Sequence, residues 1–141
     1  MKFYIASGLE NAEMVTAFAR VLKAYKWTHT YDWTVHGNVQ EDGKTRLTEV
    51  ATKEIKGVVD ADVVIVLLPG GRGTHAELGA ANALNRPVFI WAESEESFLL
   101  GGRTCAFYWN RNVTRVIGDR FKLLEALFEY ASKVEQVVRY V

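Results

Sequence analysis

The stretch Val63-Val64-Ile65-Val66-Leu67-Leu68, then Pro69-Gly70-Gly71-Arg72-Gly73-Thr74-His75-Ala76-Glu77-Leu78-Gly79, then Ala80-Ala81-Asn82-Ala83-Leu84, decides the fold. An unbroken apolar, β-branched run is the mark of a strand buried on both faces, so Asp62–Leu68 is expected to be a central strand. The glycine-rich segment after it is a turn, and Thr74–Leu84 carries the pattern of a helix. A strand, a glycine-rich turn and a helix start bring bare backbone and free N–H groups against a ligand, with an anion favoured at the helix N-terminus. The same arrangement is expected to put the Glu77 carboxylate on the first helical turn.

Working outward, Phe3–Ala6 is a short apolar strand stopped by Ser7-Gly8. Asn11–Tyr25 spaces Met14, Val15, Phe18, Val21, Leu22 and Tyr25 as one helical face. Thr28–Trp33 is β-branched and aromatic and is predicted as a second strand, Val35–Lys44 as a loop and Arg46–Val59 as a helix. Beyond the central unit, Pro87–Trp91 and Val113–Ile117 are predicted strands. They are separated by the acidic, glycine-containing segment Ala92–Arg103, expected to be a mobile loop. Arg120–Val138 is a long amphipathic helix. Alternating strands and helices predict one α/β domain over residues 1–141. Its expected form is doubly wound, flavodoxin-like or Rossmann-like, with about five parallel strands in the order 2-1-3-4-5 and flanking helices. Ligands bind such sheets outside the carboxyl ends of the strands, at the switch point between the first and third. Ser7-Gly8-Leu9 and Pro69–Thr74 meet there.

Composition narrows the class. Seventeen Lys+Arg against seventeen Asp+Glu give a formal charge of zero, which offers no basic footprint for nucleic acid or anionic lipid. The single cysteine, Cys105, has no partner for an internal disulfide or a thiolate metal site, which fits a reducing cytoplasmic setting. The apolar stretch at Met1–Gly8 is too short for a signal peptide, and no run is long enough to span a bilayer. His29, His36 and His75 lack metal spacing, so neither a metal nor a cofactor is expected. The chain has no Walker lysine, no nucleophile elbow and no dinucleotide fingerprint after its first strand.

Several residues carry two readings. Thr74-x-x-Glu77 is a capping box, in which Glu77 would only fasten its own helix. A cap, however, does not require Gly70, Gly71 and Gly73 before it, whereas a ligand lying on the backbone does. Glu54 falls within the apolar stripe of Leu47, Val50, Ala51, Ile55 and Val58. It is either partly buried, with a raised pKa suited to proton transfer, or at the stripe's edge in water. Tyr4 is either a core tyrosine or a hydroxyl aimed at a crevice carboxylate. Trp33 is either a stacking surface for a planar base or a lid packed on the core. His75 stands beside the glycine turn, facing either ligand or solvent.

Together these residues resemble the nucleoside 2-deoxyribosyltransferase family, including its nucleotide N-glycosidase relatives. The resemblance runs through Tyr4-Ile5-Ala6-Ser7-Gly8, Tyr31-Asp32-Trp33 and Glu54 to Asp60-Ala61-Asp62. It is densest from Gly73-Thr74-His75-Ala76-Glu77-Leu78-Gly79 to Arg86-Pro87-Val88. The resemblance implies cleavage or transfer at the N-glycosidic bond of a (deoxy)nucleoside or its 5′-monophosphate, through a covalent glycosyl intermediate. In that scheme Glu77 is the nucleophile, Tyr4 orients it, and Glu54 binds sugar hydroxyls or aids protonation. Ser7, Gly8, Gly71, Gly73, Thr74 and His75 line the sugar or phosphate, and Trp33 stacks on the base. It also implies a homodimer or larger assembly whose sites are completed by a neighbour, with Asn110 or Asn112 of the Phe107-Tyr108-Trp109-Asn110 region near the sugar. Two departures stand out. Glu54 occupies a position where the family commonly has aspartate, and Gly71 and Arg72 stand where transferase members often carry acidic residues. The turn also matches the Pro-Gly-Gly-x-Gly-Thr-x-x-Glu pattern of cytokinin-activating phosphoribohydrolases, over that one loop. The competing class is a non-catalytic nucleotide-binding or sensing module with the same crevice, for which Arg72 would suit a phosphate.

Overall fold

In the computed structural model, which describes residues 1–140, the alternation becomes a five-stranded parallel sheet in the order β2-β1-β3-β4-β5. The strands are β1 (Lys2–Ser7), β2 (Thr28–His29), β3 (Val63–Leu67), β4 (Val88–Ala92) and β5 (Val113–Ile117). The helices are α1 (Ala12–Ala24), α2 (Lys44–Asp60), α3 (Arg72–Ala83) and α4 (Arg120–Arg139). The strand order and the Rossmann-like α/β class are those the sequence predicts.

The central pair explains why. Phe3 to Ser7 pair residue by residue with Val63 to Leu67, and all five β3 side chains are buried. Burial on both faces is what an uninterrupted aliphatic run demands, and each such side chain contributes about 1.5–3 kcal/mol. α2 and α3 pack on each other over one face of the sheet. α1 and α4 cover the other, where Phe128 meets Tyr25 and Trp27 with ring centroids 4.6 and 5.8 Å away.

One local expectation fails. The second strand pairs only over Thr28–His29, because Asp32 takes the chain out of the sheet. Its carboxylate accepts from the Thr34 amide at 3.0 Å and caps a 3₁₀ turn over Trp33–Val35. Past the end of β4 at Ala92, the segment to Arg103 is a loop, as expected, and it is anchored at one point. It holds a 3₁₀ turn over Glu95–Phe98, with Phe98 buried edge-on against Tyr108.

Candidate active site

A hollow of about 470 Å³ opens at the carboxyl ends of β1 and β3. Its floor is the loop after β1 (Ser7–Glu10) and the turn into α3 (Gly70–Thr74). Its walls are the segment His36–Gln40 and the facing side of α2. This is the switch point, where neighbouring crossovers leave on opposite faces and part to make a crevice.

Glu77 lines this hollow from α3 and is only 6% exposed. It lies on the second turn of its helix, because α3 begins at Arg72, earlier than the sequence suggests. The capping-box reading of Glu77 is therefore incorrect. Thr74 itself closes the helix start: its hydroxyl accepts from the Gly71 amide at 3.1 Å. Relieved of capping, the Glu77 carboxylate has one sealed oxygen, Oε2, with no hydrogen-bond partner. Oε1 is on the Gly73 side, 4.0 Å from where a Cβ on that glycine would stand. A side chain at residue 73 would lie against Oε1 at ordinary contact distance.

Tyr4, fully buried on β1, places its hydroxyl beside Glu77, and that hydroxyl is also without a partner. The two groups do not reach hydrogen-bond geometry, yet they lie close enough to shift each other's ionisation. Burial pushes the Glu77 pKa up to about 8; the Tyr4 hydroxyl opposes that rise and the Glu54 charge adds to it. Burial first, and then the Glu77 carboxylate, push the Tyr4 hydroxyl far above its ordinary range. Gly57 on α2 makes this placement possible: a Cβ there would lie 2.9 Å from Tyr4 Cδ2 and from Tyr31 Cβ.

Glu54 is half-buried on α2 and lines the same hollow, its pKa raised by burial and lowered somewhat by His36. Of the apolar stripe predicted around it, Val50 and Val58 are buried, whereas Leu47 and Ile55 flank it, 39% and 43% exposed. The fold thus brings Tyr4, Glu54 and Glu77 together from three separate elements.

The other proposed contacts divide. Ser7, Gly8, Trp33, Gly71, Gly73 and Thr74 all line the hollow. Ser7 and Gly8 spend their polar groups internally: Ser7 Oγ donates to the Leu67 carbonyl at 2.6 Å, and the Gly8 amide to the Pro69 carbonyl at 3.2 Å. They shape the floor rather than offer hydrogen bonds. Trp33 donates its indole N–H to the Ile5 carbonyl at 2.8 Å and is packed on the core. Gly70 has a packing reason, since a Cβ there would fall 2.4 Å from Thr74 Cγ2. Gly71 and Gly73 keep the floor bare.

His75, Asn110 and Asn112 do not line the hollow of this chain. His75 bridges the Gly71 carbonyl through Nδ1 and the Tyr108 hydroxyl through Nε2, each at 2.7 Å. Asn112, at the amino end of β5, donates to Asn82 Oδ1 at 2.9 Å and to the Arg86 carbonyl at 2.7 Å, and accepts from Asn110.

Glu10 and Gln40, not singled out from sequence, also reach the hollow, as do His36, considered there only as a metal ligand, and Arg72, considered as a phosphate contact. His36 is held by Nδ1 on the Gly37 carbonyl at 2.8 Å, which leaves Nε2 sealed without a partner. The signal for His36 and Gln40 was positional, because a loop leaving the carboxyl end of a strand beside the switch point borders the crevice. Among the described residues no cluster of His, Cys, Asp or Glu could hold a metal ion, and no helix is long and apolar enough to cross a membrane.

The geometry defines a class: a parallel α/β protein whose switch-point crevice holds a buried carboxylate, a buried tyrosine and a second acidic side chain. The chain belongs to the nucleoside 2-deoxyribosyltransferase family, which it matches over residues 3–132. In structure it is similar to the Clostridium botulinum CMP N-glycosidase BcmB, at a TM-score of 0.63 and 15% identity, covering 90% of this chain and 98% of that one. At that identity the likeness speaks for the fold. No curated protein matches the chain in sequence.

Proposed function

We propose that this protein cleaves or transfers at the N-glycosidic bond of a nucleoside or nucleoside 5′-monophosphate, with Glu77 as nucleophile. The carrying observation is the state of that carboxylate. It is buried, it does not serve its helix cap, and one of its oxygens lies beside the bare Gly73 backbone at a hollow of ligand size. A buried, unsatisfied carboxyl is costly to fold, and a reacting group is where that cost is accepted.

Oε1 of ionised Glu77 attacks C1′ as the bond from C1′ to the base nitrogen breaks, and the electron pair leaves with the base. The Glu54 carboxyl, held protonated longer by burial, supplies the proton the departing base needs. Water or an acceptor base, losing a proton to the Glu54 carboxylate, then attacks C1′ as the bond from C1′ to Oε1 breaks and releases Glu77. Tyr4 fixes the carboxylate by donating to Oε2 once Glu77 is charged. The sugar lies over Gly71 and Gly73. The base lies toward α2 and Val39, where the wall is apolar.

Arg72 supports a second reading. It lines the hollow with no ion pair among the described residues, a placement suited to a phosphate held without turnover by a nucleotide sensor. Incubation with a panel of nucleosides and 5′-monophosphates, with and without an acceptor base, separates the two. Release or exchange of base, abolished by Glu77→Gln, supports the enzyme. Thermal stabilisation by a nucleotide with no base released over long incubation supports the sensor.

The protein is also proposed to assemble with copies of itself through the aromatic stretch at Phe107 and Trp109, which are 57% and 46% exposed. Sedimentation at micromolar concentration tests this, and a monomer there rejects it.

A further inference from the structure

A second hollow, of about 750 Å³, lies at the opposite end of the sheet, before the amino ends of β2, β3 and β4. It is larger than the crevice at Glu77 and within the roughly 300–1,000 Å³ of small-molecule sites. Tyr25, Trp27 and Tyr130 form aromatic walls, and Lys26, Arg86 and Arg139 bring cations to it. Its carboxylates are Asp62 and Glu135, and Asp62 already accepts from the Lys2 amide at 2.7 Å. Among the described residues, none of these five charges forms an ion pair with another.

Cations near helix C-termini also answer the helix dipole, and Lys26 and Arg139 stand at such ends. Two observations go further than that. Lys26 has a φ of 69°, a left-handed conformation in which glycine is the undemanding residue; a lysine there keeps an ammonium on the hollow against a backbone cost. Arg86 is anchored through Nη2 on the Val59 carbonyl at 3.0 Å, while its Nε is buried without a partner. A guanidinium so fixed is oriented before any ligand arrives.

We propose that this hollow is a second ligand site, distinct from the crevice at Glu77, for an anion carried on a planar aromatic body of mononucleotide size. Lys26 and Arg86 take the phosphate or carboxylate, and Tyr25 and Tyr130 flank the ring. The site does not depend on Glu77 chemistry, and it gives the protein a place where a nucleotide can bind without being a substrate.

The test is an amide chemical-shift titration of the whole protein with CMP, AMP and inorganic phosphate. The expected result is saturable perturbation by the nucleotides at Lys26, Trp27, Arg86 and Tyr130, separate from any at Gly8 and Gly73, and kept in Glu77→Gln. Lys26→Gly relieves the left-handed backbone, so its melting temperature should hold or rise while nucleotide affinity at these residues falls about tenfold. Arg86→Gln should weaken it by a similar factor. No perturbation there at millimolar nucleotide, or an unchanged affinity in Lys26→Gly, overturns the proposal. Equal affinity for inorganic phosphate and for nucleotide overturns the aromatic half of it.

Discussion

Two polar clusters, one toward each end of the sheet, are satisfied in opposite ways. At the amino end of β5, Asn112 is bonded to Asn82, to the Arg86 carbonyl and to Asn110, and Asn82 donates onward to the Phe107 carbonyl at 3.1 Å. At the carboxyl end of β1, Tyr4 Oη and Glu77 Oε2 are buried and bonded to nothing. A satisfied buried network holds a fold together, whereas an unsatisfied one weakens it and persists where a ligand or a reaction completes it. The comparison predicts that substitutions at the two ends separate: activity is lost at one and stability at the other.

The largest effect is expected at Glu77. Glu77→Gln should lower kcat/KM by roughly 10³–10⁶-fold. In the parent protein kcat/KM should be bell-shaped in pH, since attack needs Glu77 ionised while departure of the base needs Glu54 still protonated, and it should fall as pH rises beyond about 8. Stability follows the Glu77 ionisation alone. A carboxyl whose folded pKa is raised contributes stability that is fully present below its unfolded pKa and is lost as pH rises through about 8. Glu77→Gln cannot ionise, so above that pH it should be more stable than the parent by roughly 1–3 kcal/mol in urea titrations. A variant that is inactive and also less stable at high pH would place Glu77 in the scaffold.

Next comes Tyr4. Tyr4→Phe should cut kcat about 10–100-fold while leaving stability unchanged or slightly higher, since it removes an unpartnered hydroxyl. Gly57→Ala sharpens the point while leaving the Tyr4 hydroxyl and the Glu77 carboxyl chemically intact. Its new Cβ collides with the Tyr4 and Tyr31 side chains, so kcat should fall comparably and stability should drop by about 1–3 kcal/mol. Paired stopped assays and melts distinguish displacement of Tyr4 from its removal.

At the other end, Asn112→Ala should cost about 1–3 kcal/mol, because it strands Asn82 and the Arg86 carbonyl, with kcat unchanged once folding is complete. Loss of kcat at full stability would instead put Asn112 in a site shared between copies.

The sequence made the sheet readable because β1, β3 and β4 are apolar runs long enough to admit one interpretation, and crossover handedness fixed their order. It did not make the second strand readable. Thr28–Trp33 has strand-forming residues throughout, and the cap made by Asp32 is a contact no propensity encodes. Tyr4, Glu54 and Glu77 stood out because a hydroxyl or carboxylate amid apolar neighbours is conspicuous. The capping-box alternative for Glu77, and its place on the first helical turn, turned on a two-residue difference in where α3 begins. Asn112 and His75 could not be placed from sequence at all, since an amide or imidazole has the same appearance whether its partner is a ligand or a carbonyl across the fold.

His29 offers the smallest effect and the sharpest challenge to the comparison. Both of its ring nitrogens are buried without partners, as at the Glu77 end, yet it lines neither hollow and lies flat on Phe3 at 4.6 Å. Burial lowers its pKa, with Asp32 opposing and Lys23 assisting. The unfolded chain therefore takes up the His29 proton at a higher pH than the folded one, so folding weakens as pH falls below about 6.5, the ordinary histidine value. His29→Phe keeps the stacked ring and cannot be charged. Relative to the parent, its stability at pH 5 should be higher, with the gap narrowing toward pH 7.5 and kcat unchanged at both. If kcat falls with that substitution, an unpartnered buried group marks function wherever it occurs in this fold. If only the pH dependence of unfolding moves, it marks function only where a hollow lies in front of it, as one does at Glu77.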